Sequence, residues 1–103
     1  MKIDLEMKLV DPMGREFSDG ATVKAAAYAA LTNALPDDQQ MSMEQKLKLY
    51  RLTQAIAMGG VVDLPAEDVV TIKTRASKSL QLVAFGALSD ALDPKIEAVG
   101  MKA

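Results

Sequence analysis

The side chains best placed to do chemistry in this chain are three cations close together, Lys73, Arg75 and Lys78. If they converged on one face with Lys46, Lys48 and Arg51, they would hold phosphate, and hence a nucleic-acid backbone. Residues 75 and 78 are three apart and share a helical face, whereas 73 and 75 point in different directions. A solvated helix end whose cations complement the macrodipole explains them as well. Acidic pairs stand at Asp37-Asp38 and Glu67-Asp68. Neither has the spacing of a calcium loop, so loop solvation accounts for the first and helix capping for the second. No metal site is expected. Gly59-Gly60 follows a predicted helix, not a strand, which is the wrong context for a phosphate loop.

The residue types that are missing narrow the chemistry further. None of the 103 residues is histidine or cysteine. That removes the usual catalytic triads and dyads, thiolate and imidazole metal ligands, and disulfides. The expectation is a protein that is not an enzyme and carries no cofactor. Twelve basic against 14 acidic side chains give a formal charge of −2, which argues against a free-standing nucleic-acid binder. Half of the residues are hydrophobic but only Phe17, Tyr28, Tyr50 and Phe85 are aromatic, so the core must be aliphatic and suits packed helices. No apolar run approaches the roughly 20 residues that span a bilayer. The first residues, Met1-Lys2-Ile3-Asp4-Leu5-Glu6, carry acids where a signal peptide needs an apolar run. A cytoplasmic chain without membrane contact is the expectation.

The elements that position these groups follow from periodicity. Over residues 2–10, Ile3, Leu5, Met7 and Leu9 alternate with Lys2, Asp4, Glu6 and Lys8, the period of a strand with one buried face. The charged face reads as edge protection, with addition of a partner strand as the alternative. Asp11-Pro12-Met13-Gly14 reads as a turn, and Arg15-Glu16-Phe17 as the return arm of a β-hairpin. Ser18, Asp19 and Thr22 are alternative caps for a first helix. Its apolar positions are Val23, Ala26, Ala27, Ala30, Leu31 and Ala34, and it stops before Pro36.

Ser42-Met43-Glu44-Gln45 matches a capping box, which opens a second helix over residues 43–58, closed by Gly59-Gly60. This helix is apolar on two sides. Met43, Leu47, Tyr50 and Ala57 form one stripe, and Leu49, Leu52 and Ile56 form another. A domain this small has few elements with which to cover a central helix. One stripe is therefore expected to meet a partner chain, and the interface is assigned to Leu49, Leu52 and Ile56 with Met41 and Met43 nearby. Val61-Val62-Asp63-Leu64 reads as a short strand that can add to the hairpin. Pro65, Glu67 and Asp68 start a third helix, which weakens around Ser77-Lys78-Ser79. A fourth stretch carries Leu80, Val83, Ala84, Ala87, Leu88 and Ala91, with Leu82, Phe85 and Leu92 on an adjacent face and Gly86 as a point of close approach to the first helix. Asp93-Pro94 ends it. Residues 1–93 are read as one domain and residues 94–103 as a frayed tail.

Two segments, Ser42-Met43-Glu44-Gln45-Lys46 and Val62-Asp63-Leu64-Pro65-Ala66-Glu67-Asp68 followed by Ile72-Lys73, give the chain a resemblance. It resembles small, mostly uncharacterised proteins of tailed bacteriophages and prophages, over about residues 1–92. The match departs after Lys78, where a bulkier apolar run belongs. The resemblance implies a phage origin and a non-enzymatic accessory role, with no catalytic residues to carry over.

The sequence thus reads as an α+β domain, a small N-terminal antiparallel hairpin, with or without a third short strand, packed with three or four helices. Its expected role is self-association and binding of a phage or host protein, in virion assembly or in interference with a host process. The alternative is a small nucleic-acid-binding regulator that uses Lys73, Arg75 and Lys78.

Overall fold

The computed structural model describes residues 2–92. In chain order it contains β1 (Lys2–Asp4), α1 (Val23–Thr32), a 3-10 turn (Pro36–Gln40), α2 (Met43–Ala57), β2 (Val61–Asp63), α3 (Ala66–Ser79) and α4 (Leu82–Leu92). The fold is α+β: four helices with a two-stranded antiparallel sheet. The expected tail at 94–103 lies outside the described residues.

Local signals set the helix ends. Thr22 accepts a hydrogen bond from the Ala25 amide at 3.2 Å and so selects itself among the candidate caps of α1. At α2 the capping box closes in both directions. Gln45 N–H donates to Ser42 Oγ at 3.1 Å, and Ser42 N–H donates to Gln45 Oε1 at 2.9 Å. Pro65 precedes the first turn of α3, where its missing N–H costs nothing, and Glu67 and Asp68 follow at the positive end of the dipole.

The N-terminal segment folds differently in detail from a long hairpin. β1 ends at Asp4, and the chain then turns at Leu5-Glu6. The reversal around 11–15 is closed by a single bridge, Val10↔Glu16, with Asp11 N–H donating to the Arg15 carbonyl at 2.8 Å. The regular pairing is instead between β1 and β2, with Lys2 opposite Asp63, Ile3 opposite Val62 and Asp4 opposite Val61. The alternating pattern still buries Ile3, Leu5 and Leu9, while Met7 stays exposed. The reason for the early stop lies in α1. Its first amides need acceptors, and the Met7 and Leu5 carbonyls take the Val23 and Lys24 N–H groups at 2.9 Å each.

α1 is the central helix and packs against α2, α3 and α4. Its buried positions are Val23, Ala27, Ala30 and Leu31, and the two alanines let neighbouring helices come close. One continuous core joins them to Leu5, Leu52, Ile56, Ile72, Leu88 and Leu92. Gly86 is not the close-approach point that its position suggested. A Cβ built there meets nothing within 4 Å, because α4 turns its Leu88 and Leu92 inward instead.

Gly59 and Gly60 both have φ of +75°, which lets the chain reverse between α2 and β2. Gly60 also ties the joint to the N-terminus. Its N–H donates to the Glu6 carboxylate at 2.9 Å, and its carbonyl accepts from Leu5 N–H at 2.8 Å. A methyl group at Gly60 would meet no atom within 4 Å, so the only cost of adding one is conformational. Gly60→Ala is therefore expected to lower unfolding stability by roughly 1–2 kcal/mol, with Gly60→Asn recovering part of the loss because Asn tolerates left-handed backbone. Equal urea midpoints for the three proteins would show that the left-handed turn is not a constraint.

Candidate functional site

The three cations singled out by the sequence do not form a surface. Arg75 is buried, with its side chain 10% exposed, and its guanidinium is fully engaged inside the fold. Nε donates to the Ala30 carbonyl at 3.1 Å and Nη2 to the Asn33 carbonyl at 3.0 Å. Nη1 and Nη2 grip the Asp38 carboxylate at 2.7 and 3.1 Å, the bidentate fork that arginine geometry favours. The assignment of Arg75 as a nucleic-acid contact is therefore corrected: it is part of the core. Lys78 is exposed and pairs with Asp37 at 3.2 Å, and Lys73 is half-buried on a different side of α3.

Periodicity held a signal for Arg75 that its reading as a surface cation missed, and it held none for the partner. Val69, Ile72 and Ala76 are the buried stripe of α3, and Arg75 falls within it. A cation in an apolar stripe must find acceptors, because an unpaired buried charge is too costly to keep. Nothing local points to Asp38, which lies 37 residues away. Three of the four residues in the acidic pairs have cation partners: Asp38 has Arg75, Asp37 has Lys78, and Glu67 has Lys48 at 3.4 Å. Among the described residues no three acids gather as a metal would require.

The interface residues assigned on α2 also need correction. Leu52 and Ile56 are core residues, at 7% and 0% exposure, and Leu49 packs partly against the same core. The stripe left outside is the other one. Met43, Leu47 and Tyr50 are 77%, 50% and 56% exposed, and Met58 beyond the helix end is exposed as well. The physical reason is rotation. The alanine face of α1 accepts only one side of α2, and the side carrying two leucines and an isoleucine covers more apolar area than the one carrying Met43, Leu47 and Tyr50 with Ala57.

Between α2 and α3 runs an open groove of about 410 Å³. Met41, Leu49, Leu52 and Val70 supply its apolar lining, Thr71 and Thr74 its polar side, and Arg75 lies at its base. Met41 thus falls in the groove, and Met43 on the outer stripe. The Lys48–Glu67 pair reaches from one helix to the other, but both side chains are two-thirds exposed, so it adds little to stability. Val70 is 60% exposed, which extends the apolar surface to the rim. Gln45, Lys48 and Asp68 complete the lining, and the apolar part of the arrangement suits contact with apolar side chains.

No family model, no curated protein and no solved structure matches this chain. Nor is any helix among the described residues long and apolar enough to cross a membrane.

The Arg75 hydrogen bonds, followed by the one from Leu35 N–H, hold the Asp38 carboxyl down to about 2 from its ordinary 3.8. A lowered carboxylate pKa contributes stability above the unfolded value, and that stability disappears as pH falls through the folded value. The chain is therefore expected to lose stability between about pH 4 and pH 2 through this pair. Asp38→Asn should cost roughly 2 kcal/mol at pH 7, because it leaves Arg75 without its counter-ion. It should also flatten the acid limb in a urea titration from pH 5 to pH 2. An unchanged acid limb would assign that loss to other carboxylates.

Proposed function

We propose that this chain is a non-enzymatic interaction protein that associates with itself and with a protein partner through the outer face of α2. The observation that carries the reading is the exposure of Met43, Leu47 and Tyr50 along one helix face, directly opposite the core-facing Leu52 and Ile56. Large side chains aligned in this way mark contact surfaces more often than scattered ones do. The thioether of Met43 and the amphipathic ring of Tyr50 suit adaptable contacts. The absence of His and Cys, with Asp37, Asp38 and Glu67 held in ion pairs, supports the non-enzymatic part.

The resemblance to phage proteins supports a phage-encoded accessory role in the host cytoplasm, in virion assembly or in interference with a host process. Genes for head or tail components beside this one would support assembly, and genes for replication or repression would support interference. A neighbourhood of bacterial housekeeping genes would overturn the phage reading.

The direct test is sedimentation of the protein across a concentration series. The double variant Leu47→Glu/Tyr50→Glu changes two exposed positions, so each should alter folding stability by no more than about 0.5 kcal/mol. The unmodified protein is expected to show reversible association that the double variant lacks. A wild-type monomer at every concentration would overturn self-association.

A further inference from the structure

The outer face of α2 carries more than an apolar stripe. Met43, Leu47, Tyr50, Gln54 and Ala57 are spaced by alternating steps of four and three, the seam of a two-stranded coiled coil. In heptad terms Leu47 and Gln54 take a positions, and Met43, Tyr50 and Ala57 take d positions. The charged residues flanking this seam are unevenly placed. Glu44 and Arg51 both occupy e positions, and the g positions hold Lys46 and Thr53. Arg51 has only a weak 3.5 Å contact with Gln54, and Lys48, in a b position, is held by Glu67 of its own chain.

These charges discriminate between ways of pairing two copies. In a parallel pair, g of one helix meets e of the other, which sets Lys46 against Arg51 on both sides and is repulsive. In an antiparallel pair, e meets e and g meets g. With Leu47 facing Tyr50 of the second copy, Glu44 meets the second copy's Arg51, and the two-fold axis repeats the contact. Lys46 meets only Thr53. Sliding by one heptad in either direction brings Arg51 onto Arg51 or Glu44 onto Glu44. One orientation and one register therefore match opposite charges, and the neighbouring alternatives match like ones.

We propose that a second copy of this chain covers the α2 face in an isologous antiparallel pair, with Glu44–Arg51 contacts setting its orientation and register. The proposal rests on the self-association reading above and adds its geometry. The seam spans about two heptads, roughly 20 Å of helix, so the contact lies at the small end of specific interfaces and the dimer is weak and concentration-dependent.

The test uses the full chain and two variants at exposed positions, Glu44→Lys and Arg51→Glu, sedimented singly and mixed at up to about 1 mM. Each variant alone sets like charges together twice across the two-fold axis, and is expected to associate at least about tenfold more weakly than wild type. Mixed in equal amounts they should recover association as a heterodimer. The lysine introduced in one chain then faces the glutamate introduced in the other, and the native Arg51 of the first faces the native Glu44 of the second. The double variant Glu44→Lys/Arg51→Glu should likewise dimerise with itself. Circular dichroism on each variant separates lost association from lost folding. A dimer indifferent to either reversal, or one that the mixture fails to restore, would overturn the antiparallel geometry and leave self-association standing. A wild-type chain that stays monomeric at about 1 mM would overturn both, and would assign the α2 stripe to a different protein.

Discussion

Arg75 is the constraint around which the helical part is organised. One guanidinium reaches the end of α1, through the Ala30 and Asn33 carbonyls, and the 3-10 turn, through Asp38. α1 has no basic residue in its own last turn, so the cation that its dipole and free carbonyls call for comes from α3. The same contact fixes where the chain goes after α1. Asp38, held by Arg75, also accepts from Leu35 N–H at 3.0 Å, which sets the connector that delivers Ser42 to the start of α2. No buried side-chain polar atom among the described residues lacks a partner, so the polar centre is fully satisfied.

That clamp explains why α2 stands apart from α3. α1 touches both helices closely, whereas α2 and α3 diverge around a groove. With α1 between them, α2 can bury only one side, and its other stripe is left in water. The exposed apolar stripe is thus a by-product of core economy: an eleven-kilodalton chain has few elements with which to enclose a helix that is apolar on two sides. The groove and the outer stripe have a common origin in the position of α1.

The two ends of the domain are stabilised differently. The helical side relies on aliphatic packing and the Arg75 fork. Among the described residues the sheet side has three pairs, and its joint depends on hydrogen bonds from Leu5 N–H to the Gly60 carbonyl and from Gly60 N–H to the Glu6 carboxylate. Two short strands are marginal alone. They persist here because Ile3 and Leu64 insert into the main core.

The sequence by itself determined what contacts within a few residues can decide. The α2 capping box, the Pro65 start of α3, the stop at Gly59-Gly60, the break near Ser79 and the α+β class were all legible, since caps and turns act over i to i+4. The two stripes of α2 were legible as well. Which stripe faces inward was not, because that depends on the alanine face of α1 offered from the other side of the core. Lys73, Arg75 and Lys78 read as a charge cluster in one dimension. Only the fold sent Arg75 inward, because its acceptors on α1 and at Asp38 lie more than 30 residues away and no local pattern encodes them. That residues 61–64 can join the N-terminal strand was legible; that they, and not residues 15–17, form its regular partner was not. The first amides of α1 compete for the N-terminal carbonyls, and only the assembled structure settles that competition.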